Sequence, residues 1–193
     1  MRTGRKWRCG MGLIELLVSF AIAAALLAAT AVAVDASFRS YAVNAEQAAL
    51  MQQARIALHR MTSSVRATRA HAPASVSLRA EFASGATVTD TGIAMFDETG
   101  AEVVYRWDQS QRCLIAEIEG VSHVLARGVE AFSVRMEPMR SAAALKSGGA
   151  WDLLKRAEVL LTIRTDDPAH VAESTGAQTL TLSAAAVPRQ NCW

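Results

Sequence analysis

The longest apolar run in the chain is Leu16–Val34, broken only by Ser19 and Thr30. As a helix it rises about 28 Å at ~1.5 Å per residue, close to the ~30 Å hydrocarbon core of a bilayer. No Gly or Pro occurs from Leu13 to Ala72, so the two strongest breakers are missing from that whole stretch. The pattern predicts one unbroken helix over it, with Pro73 in "HAPASVS" marking its end. Its outer half is striped. Phe38, Tyr41, Ala45, Ala48, Met51, Leu58, Met61 and Val65 recur at mostly helical steps, while Gln52, Arg55, Arg60 and Arg66 fall largely elsewhere. From Ser75 the texture changes. "SVSLRAEF", "ATVTDTGIAMF", "EVVYRWD", "RCLIAEIEG", "HVLARGVEAFSVRME", "AEVLLTIRTD" and "QTLTLSAAAV" alternate or are rich in β-branched residues, and read as strands. "DETG" and "DQSQ" are turn-like, so "VVYRWDQSQRCLIAEI" reads as a hairpin with Tyr105 and Trp107 on one face of its first strand, as packing residues. Residues 138–157 read as a loop carrying a short helix, "AWDLLKRA". The expectation is an α+β chain: a long N-terminal helix, apolar then amphipathic, packed against a C-terminal antiparallel sheet.

Charge sharpens the first segment. Arg2, Arg5, Lys6 and Arg8 precede the apolar run with no acid among them, although the whole chain is only +2. A basic flank followed by an apolar helix predicts a membrane span with a cytoplasmic N-terminus. A cleaved secretory signal, favoured by Ala-x-Ala triplets such as Ala29–Ala31, and a buried core helix are the competing readings of the same run. No second basic cluster interleaved with aromatics exists, so nucleic acid is not an expected partner. Cys9 stands before the apolar segment rather than after it, which argues against lipidation.

Glu15 is the anomaly. It is the only ionisable residue between Leu13 and Val34. A carboxylate in a first turn is favoured by the positive end of the helix dipole, and an ionisable group at a membrane helix end calls for a partner. A cut after Gly10 would create an ammonium at Met11, one turn from Glu15.

The basic leader, Gly10 and "MGLIELLVSF" resemble the N-terminal signal of type IV prepilins and type II secretion pseudopilins. The family form is glycine, a hydrophobic residue, Thr or Ser, Leu, Ile or Leu, then Glu. Here Met11 replaces the usual Phe and Gly12 the usual Thr or Ser. The helix-breaking proline of major pilins is missing from the span, which points to a minor subunit. "QQARIALHRMTSSVRATRA" and "VVYRWDQSQRCLIAEIEGVSHVLARGVEAFSVRM" are similar to segments of minor pilins of the PilW and PulJ/GspJ types.

The resemblance implies a pilin-like fold. It implies cleavage between Gly10 and Met11 and N-methylation of Met11 by a prepilin peptidase/methyltransferase, with Glu15 docking each subunit into a filament. It divides the chain into a leader, 1–10; a transmembrane and filament-core helix, 11–34; its amphipathic extension, 35–72; and a periplasmic β-rich domain, 73–193. The implied partners are other major and minor pilin or pseudopilin subunits and the inner-membrane assembly platform. The implied location is the bacterial inner membrane, single-pass, with the C-terminal domain periplasmic, and then the pilus or pseudopilus. The alternative is a signal-anchored periplasmic binding module or enzyme outside any filament.

Little chemistry competes with an assembly role. Cys113 and Cys192 would remain after cleavage; outside the cytoplasm they form either a disulfide that staples the tail to the central hairpin or two separate thiols. His59, His71, His123 and His170 are scattered, and none sits at ligand spacing from a cysteine, so no metal and no cofactor is expected. Gly-x-Ser-x-Gly, His-Glu-x-x-His and P-loop motifs are lacking, and "TDDPAH" at 165–170 reads as a solvated turn, with a calcium-holding or active-site loop as the alternative. The expectation is a structural subunit, not an enzyme.

Overall fold

The computed structural model describes residues 12–96, 100–139, 151–164 and 179–189. The chain divides into two compact units, Met1–Ala45 and Glu46–Trp193.

Helix α1, Leu13–Ala67, is continuous over 55 residues. Its start is an N-terminal cap built on Gly12. The Gly12 carbonyl accepts from the backbone N–H groups of Glu15 at 3.0 Å and Leu16 at 3.2 Å. The Glu15 carboxylate reaches back to accept from the Gly12 N–H at 3.1 Å. This is the acidic half of a capping box, and it satisfies a donor that the helix start leaves free. The hydroxyls of the apolar stretch are also satisfied internally: Ser19 donates to the Glu15 carbonyl at 2.8 Å and Thr30 to the Leu27 carbonyl at 2.9 Å.

The helix stops at Ala67, short of the expected residue 72, and the reason is local. The Thr68 hydroxyl donates to the Ser64 carbonyl at 2.8 Å. His71 Nε2 lies 2.8 Å from Thr68 Oγ1 and 3.3 Å from the Val65 carbonyl. The Ser64 carbonyl keeps the Thr68 N–H at 3.0 Å as well, and the His71 ring takes up the Val65 carbonyl at the helix end. Ala70–Pro73 then forms strand β1 instead of a last helical turn. Pro73 is tolerated because β1 is an edge strand.

The segment read as a strand at Ser75–Phe82 is instead helix α2, Val76–Ala83. Leu78 and Phe82 are four apart, a spacing that fits one helical face as well as a strand's alternation, and only Phe82 is fully buried. The Ser75 side chain does not cap α2. It donates to Asp90 Oδ1 at 2.6 Å, while the Ser75 N–H donates to Asp90 Oδ2 at 2.8 Å.

The expected single sheet is two. Strands β2 (Val88–Asp90), β3 (Gly92–Phe96), β4 (Glu102–Asp108), β5 (Cys113–Ile118), β6 (Val121–Arg127), β7 (Val129–Pro138), β8 (Leu154–Arg164) and β9 (Thr179–Ala186) complete the fold. A five-stranded sheet has the order β1-β3-β4-β5-β6, and a four-stranded sheet the order β2-β7-β8-β9. All their pairings are antiparallel. Two sequence runs read as continuous strands each divide between the sheets. "ATVTDTGIAMF" breaks at Thr91, and "HVLARGVEAFSVRME" breaks at Gly128, whose φ is 70°. Gly92 permits the first crossing: a Cβ there would lie 2.7 Å from both the Ala74 Cβ and the Tyr105 carbonyl oxygen. Leu154–Ala157, expected in the short helix "AWDLLKRA", is the start of β8.

The β4–β5 hairpin is as expected. In its turn Asp108 Oδ1 accepts from the Ser110 N–H at 2.9 Å, the Ser110 hydroxyl at 2.6 Å and the Gln111 N–H at 3.1 Å. The Ser110 hydroxyl bond is the largest cause holding the Asp108 carboxyl below its ordinary range. Glu119 and Gly120 join β5 to β6 with φ values of 50° and 82°, the two positive angles of a type I′ turn.

One core joins these elements. Ala54, Ala57, Leu58, Met61 and Val65 of α1 are buried with Ile93, Leu114 and Ala116 of the five-stranded sheet and Phe132, Val134, Met136 and Leu161 of the four-stranded one. The sequence stripe is right at Leu58, Met61 and Val65. It misses Ala54 and Ala57, and its inner members Phe38 and Tyr41 are 68% and 74% exposed.

Candidate functional site

The N-terminal unit presents apolar surface throughout its described length. Every residue from Gly12 to Tyr41 is exposed. Leu13–Ala67 contains a window long and apolar enough to cross a membrane, none of it buried by the rest of the chain. The first ion pair along the helix is Arg39–Asp35 at 3.0 Å, immediately after the apolar run. Glu15 therefore stands alone among apolar neighbours, its carboxylate turned back onto the Gly12 amide. The residues expected to flank the cleaved bond, Gly10 and Met11, lie outside the described residues, as do Cys192 and the segment 165–170. Cys113 is buried at the start of β5, and burial pushes its thiol above the ordinary range.

The second unit carries two features that sequence reasoning missed. The first is His71, fully buried at the junction of α1 and β1. Its backbone bridges to Asp152 in both directions, at 2.9 and 3.1 Å. With Thr68 donating to Ser64, the Nε2 contact assigns the ring proton to Nε2, and Nδ1 has no partner. Desolvation dominates there and lowers the pKa from 6.5 to about 4. The ring is held neutral as a packing and capping group.

The second is a groove of about 870 Å³ between the exposed flank of α1 and strand β6. His59, Arg60, Ser63 and Ser64 form the helical wall, and Ser122, His123, Val124 and Leu125 the strand wall. Tyr105, Ala116 and Ile118 complete the lining. Strand register brings this about: Tyr105 of β4 is opposite Ala116 of β5, which is opposite His123 of β6. The Tyr105 hydroxyl is 2.8 Å from the Ser64 hydroxyl and ties the sheet to the helix. Trp107, on the same face, donates through Nε1 to the Val129 carbonyl at 3.3 Å. Both aromatics pack, as their alternation implied. His59 and His123 are 64 positions apart, so no local spacing signals their meeting.

Among the described residues, no group of three or more His, Cys, Asp or Glu gathers in a way that could hold a metal ion. Comparison with family models, curated proteins and solved structures found no match to this chain. The fold and the site thus define the chain as an α+β protein with one N-terminal helix able to cross a membrane.

Proposed function

We propose that this protein is a minor pilin or pseudopilin, a filament subunit that is cut between Gly10 and Met11, methylated at Met11, and docked through Glu15. The observation that carries the reading is the continuity of α1. One helix begins at a capped Glu15, runs through an exposed apolar surface, and enters the core of a β-rich domain at Ala54. Such a helix can leave the bilayer only if another surface covers its apolar half, and neighbouring copies of like helices provide one. In that bundle Glu15 acts as a register mark. In a low-dielectric setting a carboxylate opposite a neighbour's N-terminal ammonium is attracted strongly, whereas an unpaired one is penalised. The β-rich domain then faces outward, and a minor subunit of this kind primes assembly or caps the filament of a type IV pilus or type II secretion system.

Intact-mass and N-terminal peptide analysis of the protein from native membranes tests this reading first. The expected chain begins at N-methyl-Met11. A chain retaining residues 1–10 would mean an uncut signal anchor, and one starting near residues 32–36 an ordinary secreted protein. In the same cells Glu15→Ala is expected to abolish incorporation into filaments while cleavage and insertion persist.

A further inference from the structure

We infer that the groove between α1 and β6 is a docking site for an extended acidic segment of a partner protein, which adds to the β6 edge and places a carboxylate against Arg60. Strand β6 is the last of its sheet, and no described strand pairs with its outer side. Half of the backbone groups of such an edge point outward and form a template for strand addition. A register shift opposite Leu114/Ile115 leaves Leu125 of β6 as an extra residue; pairing with β5 is regular over Val121–Val124 and resumes at Ala126 and Arg127. The stretch Val121–Val124 is exposed along its whole length.

Charge selects the partner. No Asp or Glu lines the groove. Arg60 makes no ion pair among the described residues, unlike Arg106, Arg135 and Arg156, which pair with Glu117 and Glu158 on the sheets. The His59 and His123 rings add N–H donors, and neither ring has a hydrogen-bond partner among the described residues. A guanidinium and two imidazoles without an acid between them match a carboxylate. Ile118 adds an apolar side chain to the lining. The inference does not rest on the filament reading, because it uses only the second unit.

The test uses the purified full chain in detergent micelles and three probes: acetyl-Val-Glu-Val-Glu-Val-Glu-amide, its lysine counterpart, and inorganic phosphate. The acidic peptide is expected to bind saturably and to slow hydrogen exchange at the amides of Val121–Val124. Arg60→Ala should weaken it about tenfold, the value of one charge-assisted hydrogen bond. Arg60→Glu should reverse the preference toward the lysine peptide, and since Arg60 is exposed both variants should fold. Failure of the acidic peptide to bind, equal binding of both peptides, or binding without protection of β6 would overturn the proposal. So would full competition by phosphate, which would mark a small-anion site without strand addition.

Discussion

The two halves of α1 are one continuous helix and obey different rules. From Gly12 to Tyr41 every position is exposed, whatever its side chain. From Ala54 to Val65 the helix buries Ala54, Ala57, Leu58, Met61 and Val65 and exposes Arg55, Arg60 and Arg66. From Leu16 to Val34 the first half is apolar on all sides apart from Ser19 and Thr30, the pattern that suits a helix to apolar surroundings. The second is apolar on one face, as a helix is between a core and water. The hydroxyls differ in the same sense. Ser19 and Thr30 bond back to their own helix, as does Thr62 in the second half, but among the described residues only the second half also sends a hydroxyl outward, from Ser64 to Tyr105. Identical backbone geometry thus carries two side-chain patterns, and only the distribution of side chains tells the halves apart.

Truncation separates the halves most sharply. Met61→Ala removes a fully buried side chain from the shared core and should destabilise the folded domain by about 2–5 kcal/mol. Leu26→Ala, on the exposed apolar half, should leave the denaturant midpoint of the same protein in micelles unchanged. Equal losses in the two variants would mean that the first half also packs against the domain.

Acid should strain the domain that the second half joins. Folded His71 titrates near about 4, against 6.5 for an unperturbed imidazole. Above 6.5 the ring is neutral in both folded and unfolded chains, and its contribution is fully present. As the pH falls, the unfolded chain takes up a proton that the folded one refuses. Stability is lost between about 6.5 and 4, by about 3 kcal/mol in total. Urea unfolding at pH 7 and pH 5 should already show more than half of that loss, and His71→Gln should remove most of the slope. A wild-type slope unchanged in that variant would show that the imidazole is not the group responsible.

The smallest effect probes the tie between helix and sheet. Tyr105→Phe deletes one hydroxyl and leaves Ser64 at a partly buried site, so a loss of about 1 kcal/mol is expected in the same unfolding measurement. A loss below the resolution of the midpoint would mean that water replaces the bond at no cost.

Much of this was legible in the chain because it depends on near neighbours. An apolar run without Gly or Pro determines a long helix, since its hydrogen bonds join residues four apart. Alternation located β4, β5, β8 and β9, and Asp108 with Ser110 encodes its own turn. Where period and local chemistry disagreed, the sequence misled: Leu78 and Phe82 fit two periods at once, and α2 formed where a strand was expected. Three things were decided only by tertiary structure. The division into two sheets depends on Gly92 lying against the Tyr105 carbonyl and on Gly128 turning between β6 and β7. The end of α1 depends on His71 folding back onto Thr68 and Val65. The groove depends on register, which sets His123 across from Ala116 and Tyr105, beside a helix flank carrying His59 and Arg60. These are contacts between residues that share no local pattern, and their energies exist only once the chain has closed on itself.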